Sequence, residues 1–291
     1  MVLLIFMKDT FRKYQNIHKE KENIKEMAEE IGVEESVPMI YKLYDASFQN
    51  TVELWKNEKK VCRTNSVKIA MGNKYPDSVY DLSLTLDSII NNLDDILDNE
   101  LSEGKKALHL LEAGKNIGKM MSISSELNKK FMIVIESYFN HIIPIICGGE
   151  ATYTKYLEGS KNESDIIKYC KKYYNSRIID MDAFIEMPAI ESGMSDLEIK
   201  KMIKLGRNFR ALNLMKKDLI DIPEDTKNNT KTAFTILKSR GLEVKKYSNR
   251  LCEMYLKAIK EIEFKTNELN EIKQKFYEMA KKDMKEMESL Y

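Results

Sequence analysis

Punctuation is scarce in this sequence. Five prolines (Pro38, Pro76, Pro144, Pro188 and Pro223) and 11 glycines are spread over 291 residues, so most of the chain must run in long elements with few tight turns. Cysteine is scarce as well. Cys62, Cys147, Cys170 and Cys252 form no CxxC pair, and His18, His109 and His141 stand far apart, which argues against a zinc site and a disulfide framework. An excess of one sign of charge is missing, because 47 Lys and Arg face 46 Asp and Glu for a net +1. Without a basic footprint, no nucleic-acid partner is expected. Long hydrophobic runs are missing too: the opening MVLLIF has neither a basic flank nor a small-residue cleavage site, so it is a poor signal peptide. No apolar stretch is read as reaching the roughly 20 residues of a membrane span. These absences predict a soluble protein of a reducing, cytoplasmic compartment, with no transmembrane segment.

What is present is helical periodicity. Apolar residues recur at i, i+3, i+4 and i+7 through DSVYDLSLTLDSIINNLDDILD and again from Lys105 to His141, and no segment alternates like a strand. Helices are predicted over about 9–30, 38–57, 63–72, 77–99, 105–126, 128–146, 163–187, 195–221, 226–240 and 243–288. Turns are expected at KYPDS, CGGE, EGSKNES, ESGMS, IPEDTKNN and SRGLE, where Gly, Pro, Asn and Ser cluster. No repeat of 20–50 residues is evident, which argues against a solenoid. The expected fold class is all-α, a helical bundle forming a single domain over residues 1–291. The Glu- and Lys-rich end of the chain reads as an amphipathic outer helix with solvated charges.

One helix carries an unusual face. In DSIINNLDDILDNE, residues 87–100, positions Asp87, Asn91, Asp94 and Asp98 fall a turn apart, with Asp95 beside them. Carboxylates spaced i, i+1, i+4, as Asp94, Asp95 and Asp98 are, can present several oxygens to Mg²⁺, a hard cation that shares them with phosphate substrates. A second acidic set, Asp218, Asp221 and Asp225 in KDLIDIPED, shares a face if the helix continues past Pro223. The alternative for that set is a helix end with Lys217 paired to Asp221.

Two aspartate-rich helices about 120 residues apart in a helical chain resemble the trans-isoprenyl diphosphate synthase (polyprenyl synthetase) family, within the class I isoprenoid and terpene synthase superfamily. LTLDSIINNLDDILDNELSEGKKALH follows the run around that family's first Asp-rich motif, including the GK..LH after it. GRNFRALNLMKKDLIDIPED aligns without a gap on the segment ending in the second motif. Between them, YYNSRIIDMDAF falls where the family has a Lys-Thr pair and EKKVCRT where it has a basic loop, so the similarity spans roughly residues 55–265. The resemblance implies about ten antiparallel helices around a central cavity, as a homodimer or as a heteromer with a prenyl synthase. It also implies two or three Mg²⁺ ions gripping the diphosphate of a prenyl diphosphate substrate. Metals and basic residues stabilise the charge as the C–O bond breaks, and a dry apolar cavity protects the carbocation from water.

Carried over residue by residue, the resemblance makes Asp94, Asp95 and Asp98 the metal-binding and catalytic carboxylates. Asp218, Asp221 and Asp225 form the second metal set, whose leading aspartate is replaced by Lys217. Arg177 lies near the family's diphosphate-binding lysine; its alternative is an ion pair with Asp180 or Asp182. Lys60 and Arg63 match two basic residues of the isopentenyl diphosphate site, and with Arg177 and Lys217 they are the candidate diphosphate-binding residues. That second-substrate site departs from the family: Asp87 replaces a histidine, and Ser102 and Glu103 replace an arginine pair. Ile89 and Ile90 stand in place of the aromatic floor of short-product members, which suits a substrate of 15 carbons or more; they are also readable as ordinary core. His109 and the tyrosine pairs Tyr153/Tyr156 and Tyr173/Tyr174 read as packing residues first. Three activities remain open: a terpene synthase that ionises an allylic diphosphate without normal isopentenyl diphosphate condensation, a divergent chain-elongating synthase, and a non-catalytic subunit of a heteromeric prenyl synthase. A purely structural helical protein is the fourth reading.

Overall fold

The computed structural model describes residues 21–22, 25–26, 29, 37–38, 41, 62–97, 103–126 and 129–291. From Cys62 onward every described element is helical. The helices are α1 (Cys62–Met71), α2 (Asp77–Leu97), α3 (Glu103–Glu126), α4 (Lys129–Ser137), α5 (Ile143–Gly159), α6 (Glu163–Arg177), α7 (Asp182–Glu191), α8 (Asp196–Ile220), α9 (Ile222–Lys227), α10 (Ala233–Ser239), α11 (Val244–Lys260) and α12 (Asn267–Glu288). A π-turn, Tyr138–Ile142, joins α4 to α5, and 3₁₀ turns occupy Gly72–Lys74 and Ile178–Met181. The expected all-α class is what the described residues show. Where the sequence suggests one domain, the packing divides into two compact units: residues 1–61 with 88–118, and residues 62–87 with 119–291.

The second unit is organised on α8. Its buried stripe includes Met202, Leu205, Phe209, Leu212 and Met215, the i, i+3, i+4, i+7 spacing of a core-facing helix. Ser195 opens it with a capping box: Ser195 Oγ accepts from the Glu198 N–H, and the Glu198 carboxylate accepts from the Ser195 N–H. Phe209 meets Phe276 of α12 at 5.4 Å between ring centroids. Near the end of α8, Lys216 bonds both Asp283 and Glu286 of α12, the latter at 2.8 Å.

Several predicted boundaries differ from the structure, each for a local reason. The predicted helix 243–288 is two helices, because Thr266 caps α12 by accepting from the Leu269 N–H and a short connection precedes it. The predicted helix 163–187 ends at Arg177, where a 3₁₀ turn carries Asp180 into the interior. The predicted helix 226–240 is α9 and α10, separated at Asn228–Thr232, with Asn229 at φ 56 and Thr232 capping α10. CGGE, expected as a turn, lies inside α5. There Gly149 is required by packing: a Cβ on it would stand 2.2 Å from the Cβ of Ser176 on α6, so glycine lets the two helices approach.

Because CGGE does not break the chain and the π-turn Tyr138–Ile142 stands directly before Pro144 at the start of α5, where wider hydrogen bonding accommodates a proline, α4, the π-turn and α5 form one helical run, Lys129–Gly159. By length and composition that run is apolar enough to cross a membrane, with 22% of its most apolar window buried. The expectation that no such stretch exists is therefore corrected. Lys129, Lys130, Lys155 and Glu158 charge its ends, and Glu136 and Glu150 lie within it.

The α5–α6 contact makes a paired prediction. Gly149→Ala should destabilise the fold by about 1–3 kcal/mol through overpacking against Ser176. Gly148→Ala, at a position whose Cβ meets nothing within 4 Å, should stabilise it by about 0.4–1 kcal/mol. Urea denaturation midpoints of the two variants should move in opposite directions.

Candidate functional site

The second aspartate set lies where α8 ends. Asp221 is the C-cap of α8, and α9 resumes at Ile222. The α-type bonds Asp221 N–H to Lys217 C=O (2.9 Å) and Asp225 N–H to Asp221 C=O (2.8 Å) carry the helical path across the junction. Pro223, second in α9, removes only a bond it could not donate. Asp218, Asp221 and Asp225 thus fall on one side of a nearly continuous helix, as their spacing predicts. The Asp225 carboxyl is pushed up to about 6, by burial first and then by the negative charges of Asp218 and Asp221, while Lys217 and Arg177 oppose the rise. Lys217 itself is exposed.

Arg177, the last residue of α6, reaches this set. Its Nη1 donates to Asp218 Oδ2 at 2.7 Å and to the Tyr173 hydroxyl at 3.1 Å, and its Nε lies 2.9 Å from Glu150 Oε1 of α5. The Tyr174 hydroxyl donates to the same Asp218 oxygen at 3.1 Å. The alternative pairing of Arg177 with Asp180 or Asp182 is not formed: Asp182 takes Arg207, and Asp180 takes Arg63 and Arg210. Burial works against the Arg177 charge, but Asp218 and then Glu150 hold its pKa well above the ordinary value. Burial raises both tyrosine phenols, and the Asp218 charge adds to the rise. Both stay neutral, Tyr174 donating to Asp218 and Tyr173 accepting from Arg177. A cavity of about 310 Å³ opens beside Arg177, lined by Glu150, Thr154, Tyr173, Lys231 and Thr232 among others.

The donor chemistry of Asp218, Asp221 and Asp225 suits a hard divalent cation. Among the described residues, however, no three His, Cys, Asp or Glu side chains converge closely enough to hold one. Arg177 and Tyr174 already engage Asp218. This set by itself fits a magnesium site only in its chemistry and not in its geometry.

Arg63 departs from the expected diphosphate contact. It is 7% exposed; its Nη1 donates to Asp87 Oδ1 and its Nε to Asp180 Oδ2, each at 2.8 Å. Asp87 is fully buried and accepts also from the Thr64 N–H at 3.1 Å. Arg210 of α8 grips Asp180 from the other side, with Nη2 to Oδ2 at 2.7 Å. Burial pushes the Asp180 carboxyl up, but Arg210 and then Arg63 overcome it and hold it down at about 2. Two arginines and two aspartates thus form a neutral, internal cluster. Sequence reasoning missed Arg210, Glu150 and the inward role of Asp180, because nothing in their local spacing marks partners that lie far away along the chain, up to 117 residues for Arg63 and Asp180.

In the first unit, Asn92 Oδ1 faces His109 Nδ1 at 2.9 Å, and Asn116 Nδ2 donates to Ser88 Oγ at 3.0 Å, so His109 packs α3 against α2. Ile89 and Ile90 are buried core residues. Asp94 and Asp95 are in the last turn of α2; Asp98 and Lys60 lie outside the described residues.

Comparison with protein-family models finds no match, and comparison with curated proteins finds none. Among solved structures the chain is similar to a geranylgeranyl pyrophosphate synthetase from the archaeon Geoglobus acetivorans, with a TM-score of 0.53 and 16% identity, over 92% of this chain and 96% of that one. The two chains share a fold. This is the all-α isoprenoid-synthase type that the aspartate-rich helices imply.

Two measurements check the site. A carboxyl-carbon NMR titration should find Asp225 titrating near pH 6, and Asp218→Asn should lower that midpoint by removing a repelling charge. Since the folded pKa lies above the ordinary 3.8, this group's stabilisation is full below about pH 4 and disappears as pH rises through 6. Asp180→Asn, which strands Arg210 and halves the pairing of Arg63, should cost about 3–5 kcal/mol in urea denaturation. In the parent protein the Asp180 contribution is present above its ordinary 3.8 and disappears as pH falls through about 2.

Proposed function

We propose that the protein acts on an allylic prenyl diphosphate of 15 carbons or more, ionising it in a magnesium-dependent step without a normal isopentenyl diphosphate condensation, as a terpene synthase does. The observation that carries this reading is the fate of Arg63 and Asp87. One expected cation of the isopentenyl diphosphate site is buried, and its charge is neutralised by Asp87 and Asp180. A second diphosphate therefore has less to hold it, while Arg177 stays beside the second aspartate set. The geranylgeranyl pyrophosphate synthetase of similar fold supports prenyl diphosphate chemistry in general.

In this reading magnesium, when bound, neutralises the diphosphate so that it can leave. Asp94, Asp95 and Asp98 would hold it in the first motif; Asp218, Asp221 and Asp225 offer the donor chemistry of a second set without the geometry of a formed site. Arg177 has two roles. Before substrate binds it holds Asp218; against a diphosphate its fork donates to phosphate oxygens. Tyr173 and Tyr174 keep that fork and Asp218 in place. Lys217, exposed beside the set, contributes a point charge toward the anion, and Lys60 is its proposed counterpart in the basic loop. The chain is proposed to work as a homodimer in the cytoplasm.

The deciding assay incubates the protein with Mg²⁺ and farnesyl or geranylgeranyl diphosphate, with and without isopentenyl diphosphate, and analyses extracted products by mass. Hydrocarbon or alcohol released without isopentenyl diphosphate is expected, falling at least 100-fold in Asp94→Ala and in Arg177→Gln. Longer prenyl diphosphates that form only with isopentenyl diphosphate would replace this reading with chain elongation. No turnover at any chain length would leave the non-catalytic subunit of a heteromeric prenyl synthase.

A further inference from the structure

A second cavity lies within the same unit, of about 570 Å³, between α6, α8 and α11. Its rim carries Lys171, Lys200, Lys204 and Arg207, and no Asp or Glu lines it. Arg207 is matched by Asp182. Lys171, Lys200 and Lys204 form no ion pair among the described residues, in a chain whose charges otherwise balance almost one for one. Lys200 and Lys204 stand at i, i+4 on α8, a like-charge spacing that disfavours the helix rather than supporting it. Neither the helix nor its packing explains that cost, whereas an anion in the groove does.

The polar partners are arranged in the same sense. On α6 and on α8 a lysine is followed four residues later by an asparagine: Lys171 with Asn175, and Lys204 with Asn208. The pairs share one helix face each and face the same cavity. The Tyr255 hydroxyl donates to Asn175 Oδ1 at 3.0 Å, which fixes that amide with its NH₂ directed away from the phenol and open to donate. Asn208 Nδ2 is held by the Lys204 carbonyl at 2.7 Å. Ile203, Met254 and Ala258 add apolar surface to the same cavity. The volume is that of a small-molecule pocket.

The site is separate from the one around Arg177. Lys171 and Asn175 occupy one face of α6 at i, i+4, with Ile178 of the following 3₁₀ turn beside them, and Arg177 is turned to another face. On α8, Asn208 precedes Asp218 by ten residues, roughly 15 Å along the axis.

We propose that this groove binds a diphosphate group, either free or at the end of an organic tail. Three unpaired ammonium groups match the charge of a diphosphate, lysine serves phosphate oxygens as a point charge, and the Asn175 amide adds a directional donor. This inference does not depend on the function proposed above.

The test is isothermal titration of inorganic diphosphate into the full chain in EDTA, where no divalent cation can assist binding at the aspartates. Saturable binding to one site is expected, weakened at least tenfold in Lys171→Gln/Lys204→Gln and several-fold in Lys200→Gln. These side chains are half-buried or exposed, so the variants should melt like the parent. Lys231→Gln, exposed beside the other cavity, should bind as the parent does. Parent-like affinity in the Lys171/Lys204 variant, loss of binding in the Lys231 variant alone, or no binding by the parent at millimolar diphosphate would each overturn the proposal. An alkyl diphosphate that binds more tightly than inorganic diphosphate would identify the tailed molecule as occupant; equal or weaker binding would identify the free anion.

Discussion

The constraint on which the second unit depends is the neutrality of its buried charge cluster. Arg63 comes from α1, Asp87 from α2, Asp180 from the 3₁₀ turn and Arg210 from α8. Each charge sits where an unpaired ion would cost several kcal/mol, so none can be inside unless all are. Asp180 is gripped by both arginines, and Asp87 by Arg63 and a backbone N–H. That requirement fixes which helix ends meet and at what register. It also explains why the predicted helix over 163–187 ends at Arg177: an unbroken α-helix there has no reason to turn Asp180 inward. The 3₁₀ turn that does so leaves Arg177 as the last residue of α6, reaching Asp218.

The same cluster changes the meaning of Arg63. Arginine is suited both to phosphate and to carboxylate, because its fork matches either. Which it meets depends on the charge opposite. Here the charges opposite are Asp87 and Asp180, and Arg63 is held between them inside the protein.

Much of this was legible in the sequence, and the rest was not, for identifiable reasons. The 3.6-residue periodicity gave the helical class, since every long segment carries its own apolar stripe. The spacing of Asp218, Asp221 and Asp225 anticipated their shared face, because the junction at Asp221 keeps helical geometry. The glycines of CGGE misled, because a glycine pair marks either a turn or a close helix crossing, and only Ser176 across the interface distinguishes them. The run Lys129–Gly159 was cut short for the same reason. For Arg177 the alternative partners Asp180 and Asp182 are nearer in sequence, while Glu150 and Asp218 are nearer in space. Long-range pairing of charges carries no local signature.

The second aspartate set sits at a helix end that disfavours its charge. The C-terminal end of a helix presents unpaired carbonyls and a negative dipole, and it favours cations. Asp218 in the last turn of α8 and Asp221 at its C-cap place carboxylates where the helix disfavours them, and Asp225 follows one turn later. Burial first, and then the negative charges of Asp218 and Asp221, raise the Asp225 pKa, while Lys217 and Arg177 oppose the rise. The Arg177–Asp218 pair ties the last residue of α6 to the last turn of α8, so the same arginine that closes one helix offsets the unfavourable carboxylate at the end of the other.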